Sequence, residues 1–401
     1  MNYTELRGPE AGDTVVVGMS GGVDSTLAAL LLKERGCHVI GVTMSLWKGD
    51  LPPLPDGSRL RNSCYGPDEA LDIAECADFC AEHGIEYHVI DVKDIYQREV
   101  LDYFKAEYRA GRTPNPCIRC NRHIKFGALL EGVAALGIRY DYFCTGHYAR
   151  IVQPDFPLPQ LYGEREDKTD IRPCMIHCAA DSTKDQAYFL YRIPSETLRK
   201  VRFPLADFTK KHVFEMARER GLKSAEKSES QDFVPPEIRD ALFADRPSIP
   251  GDFIDLDGHK LGRHCGIEHY TVGQRRGLGI SADVPLYVHS IQSDTNRIVL
   301  ARDEDLFAKG LIADDWVWPA HYAPRASFRA GAKIRLASRP VPVSVEPFDA
   351  ANDAGFANAA FSGAPYRIIF DEAQRAVAPG QSVVLYIDGV VCGGGIIHTA
   401  I

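Results

Sequence analysis

Short apolar runs alternate with amphipathic helical patterns over the first 150 residues. The predicted strands are Thr14–Gly18, His38–Met44, Tyr87–Val92 and Tyr142–Gly146, and the helical patterns between them are Thr26–Arg35, Asp68–His83 and Ile124–Leu136. Strands that alternate with helices form a parallel sheet covered on both faces. Ligands bind such sheets beyond the carboxyl ends of the strands. We therefore predict a doubly wound α/β domain with its ligand site at that edge.

The pattern changes in the second half of the chain. A helical pattern at Lys210–Arg220 is followed, after Pro235, by short strands with Gly and Asp turns. Beyond about residue 285 helical periodicity is lost, and Val383–Ile387, an Asp-Gly turn and Val390–Cys392 predict a hairpin. This pattern of short strands separated by turns favours a small β-barrel. The predicted domains are 1–205 (α/β), 206–285 (central) and 286–401 (β-barrel), with a hairpin excursion at Tyr148–Asp170 and a loop at Ala350–Ala364.

Composition narrows the class of protein. The chain has 401 residues, of which 45% are hydrophobic, and it contains no apolar run long enough to cross a membrane. Its first residues lack the features of a signal peptide. Eleven cysteines, an odd number, are scattered along the chain, which is typical of reduced thiols. We expect a soluble, cytoplasmic protein with no membrane partner.

The net charge is −9, but two windows are basic. Lys105–Lys125 holds six basic residues and one acid, and Arg325–Arg339 holds five basic residues and no acid. An acidic protein with basic islands is predicted to bind a polyanion locally rather than over its whole surface.

A glycine-rich loop joins the first predicted strand to the first predicted helix. It reads Ser20-Gly-Gly-Val-Asp-Ser25 and follows three valines and Gly18. Free N–H groups at a helix N-terminus and the helix dipole favour an anion there, and glycine lets the backbone approach it closely. The loop lacks the lysine of the G-x-x-x-x-G-K-[ST] motif. It resembles the pyrophosphate loop of enzymes that adenylate a substrate; an ordinary strand-to-helix turn is the alternative.

A second motif lies inside the first basic island. Asn115-Pro-Cys-Ile-Arg-Cys120 presents two thiols at the start of a predicted helix, among arginines and Lys125. That setting predicts lowered thiol pKa values. A C-x-x-C pair in a cytosolic protein serves as a redox dithiol, as half of a zinc site or as part of an iron–sulfur site.

Together with these two motifs, a colinear series of segments resembles the tRNA-specific 2-thiouridylase family over nearly the whole chain. The segments are Gly18–Ser25, Arg112–Phe126, Thr145–Arg150, Lys184–Leu190, Tyr270–Gly279, Ala378–Ser382 and Gly393–Ile397. The resemblance implies a pyrophosphate-loop domain, a central domain and a C-terminal β-barrel that grip the anticodon arm of tRNA. It implies ATP-dependent replacement of O2 of uridine 34 by sulfur, with ATP and Mg²⁺ as cofactors and a sulfur donor as partner. We expect the protein to be a monomer.

The resemblance also implies roles for individual residues. ATP would be held by Gly18, Met19, Ser20, Gly21, Gly22, Val23, Asp24, Ser25, Met44 and Gly146. The target base would lie against Asn115, Pro116 and Cys117, and further tRNA contacts would come from His147, Lys184, Asp185, Gln186, Arg335 and Gln381.

One departure from the family pattern leaves the sulfur chemistry open. The family has Asn-Pro-Asp-x-x-Cys and a second, late cysteine, whereas this chain has Cys117 at the first position and Asp232 at the late one. Cys117, Cys120 and Asp232 could ligate a [4Fe–4S] cluster with one iron free to bind sulfide. Alternatively, Cys117 and Cys120 form a persulfide and dithiol cycle. In a third route Cys64 supplies the distant thiol.

Three other functions remain as alternatives. One is a pyrophosphate-loop ligase with a small-molecule substrate, and another is a thiolase that acts on a different tRNA base. The third is a tRNA-binding homologue without catalytic activity, suggested by the missing late cysteine.

Overall fold

The computed structural model describes residues 2–49, 64–154, 172–226, 233–234, 241–319, 323–353, 355–356 and 359–401. Asp232 lies outside these residues, as do the tip of the predicted excursion at 155–170 and part of the predicted loop at 350–364. No described helix is long and apolar enough to span a bilayer.

Helices are concentrated in the first 226 residues. They are α1 (Val23–Glu34), α2 (Glu69–Glu82), α3 (Lys93–Tyr96), α4 (Tyr103–Arg109), α5 (Pro116–Arg119), α6 (Leu129–Ala135), α7 (Ala187–Leu190), α8 (Ser195–Leu198) and α9 (Lys210–Glu219). Two π-helical segments, Gln97–Asp102 and Cys120–Ala128, join α3 to α4 and α5 to α6. Short 3₁₀ turns lie at Lys223–Glu226, Ile267–His269, Asp303–Leu306 and Ala350–Asn352.

The strands of the first half are β1 (Tyr3–Glu5), β2 (Thr14–Gly18), β3 (His38–Ser45), β4 (Glu86–Asp91), β5 (Tyr142–Thr145), β6 (Arg150–Pro154), β7 (Met175–His177) and β8 (Val201–Arg202). Those of the second half are β9 (Gly251–Ile254), β10 (Lys260–His264), β11 (Tyr287–Gln292), β12 (Arg297–Ala301), β13 (Phe307–Val317), β14 (Phe328–Lys333), β15 (Val341–Pro347), β16 (Tyr366–Arg375), β17 (Ser382–Ile387) and β18 (Val390–Ala400).

The N-terminal part contains the predicted parallel sheet. Its order is β4-β3-β2-β5-β8, with every neighbouring pair parallel. The chain runs outward from β2 to β3 and β4 on one side and places β5 and β8 on the other. The strand order therefore reverses at β2, and such a reversal opens a crevice at the carboxyl ends of the central strands.

Helix α1 is the buried centre of this part. Its residues Val23 and Leu27 pack with Val213 and Met216 of α9, so the helix predicted at Lys210–Arg220 is confirmed and covers the first helix. Thr209 caps α9 by accepting a hydrogen bond from the backbone N–H of His212 at 3.3 Å.

The second half contains two further sheets. β10-β9-β12-β11 form a four-stranded sheet around Phe253 and Val288. β18-β13-β16-β15-β14-β17 form a six-stranded barrel, which the pairing of β17 with β18 closes. The predicted hairpin is confirmed, since Asp388 (φ 50°) and Gly389 (φ 80°) form the left-handed two-residue turn between β17 and β18. The predicted fold class, an α/β domain followed by a central domain and a β-barrel, is confirmed.

The sheet of the barrel continues into the N-terminal part. β1, β6 and β7 extend it in the order β1-β6-β7-β18, with His177 of β7 opposite Val390 of β18. β6 and β7 are antiparallel, which confirms a hairpin at the described base of the predicted excursion. The barrel and the catalytic part are therefore tied together by backbone pairing.

Candidate active site

The glycine-rich loop closes on itself beyond the end of β2. The Ser25 hydroxyl accepts a hydrogen bond from the Ser20 N–H (3.2 Å) and donates one to the Gly22 carbonyl (3.1 Å). Gly21 has a φ of 73°, in the left-handed region that favours glycine. Gly22 precedes α1, and no side chain caps that helix. The first turn of α1 therefore has no N-cap side chain, and the anion site there stays a prediction.

Asp24, in the first turn of α1, is held by two residues from distant parts of the chain. Lys210 Nζ lies 2.8 and 2.7 Å from its two carboxylate oxygens, and the Tyr148 hydroxyl donates to Oδ1 at 2.8 Å. Lys210 is 8% exposed. The sequence analysis missed Lys210, because the pairing joins residues 186 positions apart and no local pattern encodes it.

Lys210→Met is expected to lower the free energy of unfolding by about 2 kcal/mol, since hydrogen bonds to charged groups contribute about 1.5–3 kcal/mol and Asp24 would keep only Tyr148. Urea unfolding measures this. The control is Lys211→Met, because the Lys211 side chain is 87% exposed. Equal stability of the two variants would show that the ion pair contributes nothing.

The other residues predicted to hold ATP lie at the same edge of the sheet. Gly146 directly follows β5, and a Cβ there would lie 2.7 Å from the Asp24 carbonyl carbon and 2.8 Å from the Ser25 nitrogen. Met44 is half-buried near the end of β3, and Gly18 pairs with Val42 and with Thr145 of β5. The structure thus brings the predicted ATP residues together, with glycine required at 146 by close packing.

The C-x-x-C segment starts a new helix. The Asn115 side chain caps α5 by accepting a hydrogen bond from the Ile118 N–H at 3.3 Å, and Pro116 is the first helical residue. Ile118 is buried, while Cys117 and Cys120 are half-buried. The helix thereby fixes both thiols on a rigid element.

The prediction that the thiol pKa values are lowered is wrong. Burial raises the pKa of Cys117 to about 12, with a further increase from the charge of Cys64. Burial also raises the pKa of Cys120 to about 11, and the opposing charge of Lys125 only partly offsets this. In the protein without ligands both groups are therefore neutral thiols at neutral pH.

Most of the basic residues around the thiols are paired with acids. Arg119 lies 3.0 Å from Glu99, and Arg112 pairs with Glu107. Lys105 and Arg109 both pair with Asp245, which lies far outside the basic window. In the described part of the chain no acid pairs with Arg122 or Lys125. The first basic island is consequently much less positive than its composition predicts.

His147 connects the thiols to the end of β5. Its Nδ1 lies 2.7 Å from the Thr145 hydroxyl, and its ring packs against Phe126 and Phe203. Burial, and then the charge of Lys125, hold the pKa of His147 well below its usual range. Because Phe126 belongs to the segment Cys120–Ala128, His147 links the end of β5 to the segment that begins at one of the two thiols.

Two of the residues predicted to touch tRNA hold the protein backbone. Asp185 is buried and accepts a hydrogen bond from the Ala179 N–H at 3.0 Å. The Gln186 side chain accepts one from the Tyr148 N–H at 2.9 Å. Lys184 is half-buried beside them. A tRNA contact stays a prediction for all three residues. Asp185 and Gln186 also stabilise the protein backbone through these hydrogen bonds.

Residues of the barrel form hydrogen bonds with the segment that precedes the thiols. The Thr113 N–H donates to the Pro379 carbonyl at 2.7 Å, and Gln381 Nε2 donates to the carbonyls of Thr113 (3.1 Å) and Pro114 (3.3 Å). A Cβ at Gly380 would lie 2.8 Å from the Thr113 nitrogen. Gln381 therefore lies next to the segment that precedes the thiols, where its side chain holds the backbone of Thr113 and Pro114.

A polar cavity of about 240 Å³ lies between the catalytic part and the barrel. Asn115 lines it, together with Tyr103, Arg192, Asp314 and Ser382. Beside it, the hydroxyl of the buried Tyr188 donates to the carbonyl of Ser382, another lining residue, at 3.0 Å. The cavity therefore opens beside the residue predicted to face the target base.

Arg335 lies on the exposed turn after β14. One of its N–H groups donates to the Arg375 carbonyl at 3.1 Å, and its charge acts on Tyr188 of the catalytic part. A tRNA contact of Arg335 stays a prediction.

Comparison with known proteins gives matches along the whole chain. Family models described as the tRNA methyl transferase HUP domain, the tRNA methyl transferase PRC-barrel domain and the aminomethyltransferase beta-barrel domain match residues 13–235, 239–302 and 308–397. A tRNA-specific 2-thiouridylase MnmA of Carboxydothermus hydrogenoformans is 38% identical over 391 residues, which are 96% of this chain and 97% of the relative. The chain belongs to the tRNA-specific 2-thiouridylase family.

Other 2-thiouridylases match to a similar extent. The protein of Endomicrobium trichonymphae is 39% identical over 96% of this chain and 98% of its own. One of Syntrophus aciditrophicus is 41% identical over 96% and 93%. The predicted family is thus confirmed over its full length, whereas the individual site residues and the domain boundaries at 205/206 and 285/286 stay predictions.

Proposed function

We propose that this member of the 2-thiouridylase family replaces O2 of uridine 34 in tRNA by sulfur at the expense of ATP. The observation that supports this most directly is that Gly146 packs against Asp24 and Ser25 of the loop, while the next residue, His147, packs against Phe126 of the segment that begins at Cys120. The loop would hold the ATP that activates the target base, and the thiols would deliver the sulfur that attacks it. Both must therefore reach the same base.

The reaction has two steps. The O2 atom of the base attacks the α-phosphorus of ATP, the bond to the β-phosphate breaks, and pyrophosphate leaves. Sulfide then attacks C2, the C2–O bond breaks, and AMP leaves with the original oxygen. The open first turn of α1 would hold the phosphates by its N–H groups.

Asp24, the single acidic residue between Gly18 and Ser25, would supply a carboxylate ligand to Mg²⁺, for which the ion would compete with Lys210. When bound, the ion neutralises phosphate charge during the transfer. Lys210 and Tyr148 hold the carboxylate at the mouth of the loop. Their role is to fix its position before ATP enters.

The substrate would be bound as an anticodon arm. Uridine 34 must leave its stack to reach the enclosed site, where Asn115, Pro116 and Cys117 would contact the base. His147, Lys184, Asp185, Gln186, Arg335 and Gln381 are the further proposed tRNA contacts. We expect a monomer to act on one tRNA in the cytoplasm.

Sulfur would be handled at Cys117 and Cys120, with Asp232 as the third group of the proposed catalytic set. A persulfide carrier or free sulfide would serve as donor. A cluster route and a dithiol route use the same two thiols and differ in whether iron is present.

The test combines the protein, ATP and sulfide under anaerobic conditions with tRNA that carries U34. We expect AMP and pyrophosphate to form only when tRNA is present, and 2-thiouridine to appear at position 34 by nucleoside mass spectrometry. A transcript with C34 is the control. ATP turnover without tRNA would indicate a small-molecule ligase, thiolation elsewhere a different target base, and tRNA binding without turnover an inactive homologue.

Arg335→Ala is expected to weaken tRNA binding and to reduce the slope of log K against log [salt] by about 1, because one phosphate contact is lost. Titration of tRNA at several salt concentrations measures this. The control is Arg329→Ala in the same basic window, whose guanidinium is already engaged by Asp371 at 2.8 Å. Equal slopes in the two variants would exclude the contact.

A further inference from the structure

We infer that the polar cavity between the catalytic part and the barrel binds the base of one nucleotide that flanks uridine 34. The inference rests on the proposed function and deepens it, since it gives the enzyme a second pocket that reads the RNA next to the target. The cavity has a volume of about 240 Å³. Pockets for drug-sized ligands measure about 300–1,000 Å³, so this smaller one suits a group of the size of a single base.

The cavity lies across helix α5 from the two thiols. Ile118 and Arg119 line it, whereas Cys117 and Cys120 do not. Successive residues of a helix are rotated by about 100°, so the pair that lines the cavity and the pair of thiols point in opposite directions. A helix with its side chains is about 10–12 Å wide. A base that lies against the thiols therefore does not fill the cavity, which is open to a second group.

A buried arginine with one open edge forms part of the lining. Arg192 is 9% exposed. Its Nε donates to the Tyr191 hydroxyl at 2.8 Å, and its Nη2 donates to the carbonyl and to the carboxylate of Asp315, both at 2.6 Å. Among the residues that the structure describes, none accepts a hydrogen bond from Nη1. The guanidinium is thus fixed in position, and its remaining N–H groups can donate to a ligand.

The backbone that holds Arg192 is strained. Asp315 has a φ of 47°, in the left-handed region that favours glycine. It lies where the pairing of β13 with β18 is interrupted, between Asp314 and Val317. Interruptions of this kind re-aim side chains, and strained residues concentrate at ligand sites. The barrel strand is therefore shaped to orient an arginine of the other part of the protein.

The charges of the lining favour a neutral ligand. Three arginines and three acids line the cavity, namely Arg112, Arg119, Arg192, Glu107, Asp314 and Asp315. Each arginine is already paired with an acid. A phosphate would be repelled by the three carboxylates, whereas a base is uncharged and presents both donors and acceptors on its edges.

The lining also offers surfaces for the face of a base. The guanidinium carbon of Arg119 lies 4.6 Å from the centre of the Tyr103 ring, and Ile118 and Ile396 add apolar surface. The Ser382 side chain adds a hydroxyl. Bases of single-stranded RNA are recognised by stacking on aromatic rings or guanidinium planes and by hydrogen bonds to their edges. The cavity has the groups for both.

The tether to the target base identifies the occupant. Asn115 lines the cavity and is also proposed to contact uridine 34. When uridine 34 leaves its stack, the nucleotides on either side stay joined to it by one phosphodiester link each. A neighbouring base that is splayed in the opposite direction passes around the N-terminus of α5 and enters the cavity.

The test measures the affinity of the full-length protein for a fluorescently labelled anticodon stem-loop RNA, without ATP or sulfide. One RNA is intact, and two others have an abasic site at position 33 or at position 35. We expect the wild type to bind one of the abasic RNAs about tenfold more weakly, as is typical when one stacked base is lost. Equal affinities for the three RNAs would overturn the inference.

Ser362→Leu narrows the cavity from its rim. Ser362 is exposed, and its hydrogen bonds with Asp314 (2.8 Å) and Asp315 (2.9 Å) use only its backbone, so the fold should be unaffected. We expect this variant to bind the intact RNA as weakly as the abasic one. The matched control is Ser327→Leu, an exposed serine of the barrel part that does not line the cavity. A tenfold preference that persists in Ser362→Leu would contradict the assignment.

Arg192→Lys keeps the positive charge and loses the planar donor edge. It should lose the preference for intact RNA as well. Arg150→Lys is its control, because Arg150 also donates to an aspartate (Asp207, 3.0 Å) and to a backbone carbonyl (Cys178, 3.2 Å) but does not line the cavity. An unchanged preference in Arg192→Lys would exclude the contact with the base.

Failure of this inference and failure of the proposed function give different results. Thiolation of uridine 34 by a protein that binds intact and abasic RNA equally would retain the function and refute the second pocket. A tenfold preference without formation of 2-thiouridine would support the pocket and refute the function.

Discussion

Replacing Cys120 by serine is expected to lower the rate of 2-thiouridine formation by about 10³-fold or more, as is typical when a nucleophile is removed. A serine hydroxyl neither carries a persulfide nor ligates iron as a soft thiolate does. AMP formation should persist, because adenylation needs only the loop and the base. Nucleoside mass spectrometry and AMP release measure the two steps separately.

The matched control for this variant is Cys178→Ser, which changes another half-buried thiol in the same part of the protein. It should thiolate at the wild-type rate. Activity retained in Cys120→Ser would remove this residue from the sulfur chemistry, and loss of AMP formation as well would point to a disturbed fold.

Replacing Asp24 by asparagine is expected to reduce AMP and pyrophosphate formation by about 10²–10³-fold, a range typical of losing one group that stabilises transition-state charge. Asparagine still accepts the hydrogen bond of Tyr148, but it cannot neutralise Mg²⁺ or Lys210. Binding of tRNA should stay near that of the wild type. Rates of pyrophosphate release at saturating ATP measure the effect.

Glu34→Gln is the control for Asp24, because it removes a carboxylate at the other end of α1, where Glu34 pairs with Arg220 at 2.9 Å. Its turnover should be unchanged. If Asp24→Asn turned over normally, the loop would bind phosphate without a carboxylate, and the proposed metal position would be wrong.

The sequence predicts the central strands within a residue or two, because each is a short apolar run bounded by turn residues. It misses the helix from Lys93 to Arg109. The buried residues Tyr96, Val100, Phe104 and Tyr108 recur every four residues there, which is a helical pattern. The signal for this helix is therefore present in the sequence, although the π-helical segment Gln97–Asp102 interrupts the regular α-helix.

A different limit applies to the site itself. Motifs such as the loop before α1 could be predicted because all their functional atoms lie within a few residues. The partner of Asp24 and the acid that neutralises Lys105 and Arg109 both depend on contacts between distant segments. Such contacts exist only once the core has packed, so charge and pKa predictions made from a window of sequence were the ones that failed.

The hydrogen bonds between Gln381 and the backbone of Thr113 and Pro114 have a consequence for synthesis of the protein. Gln381 follows Thr113 by 268 positions, and domains fold in the order in which the ribosome delivers them. The nascent α/β part therefore emerges with its phosphate loop formed but with the segment before Asn115 lacking its partners. An enzyme assembled in this order completes its base-facing segment only after the barrel has been translated, so a truncated chain released early would bind nucleotide without modifying RNA.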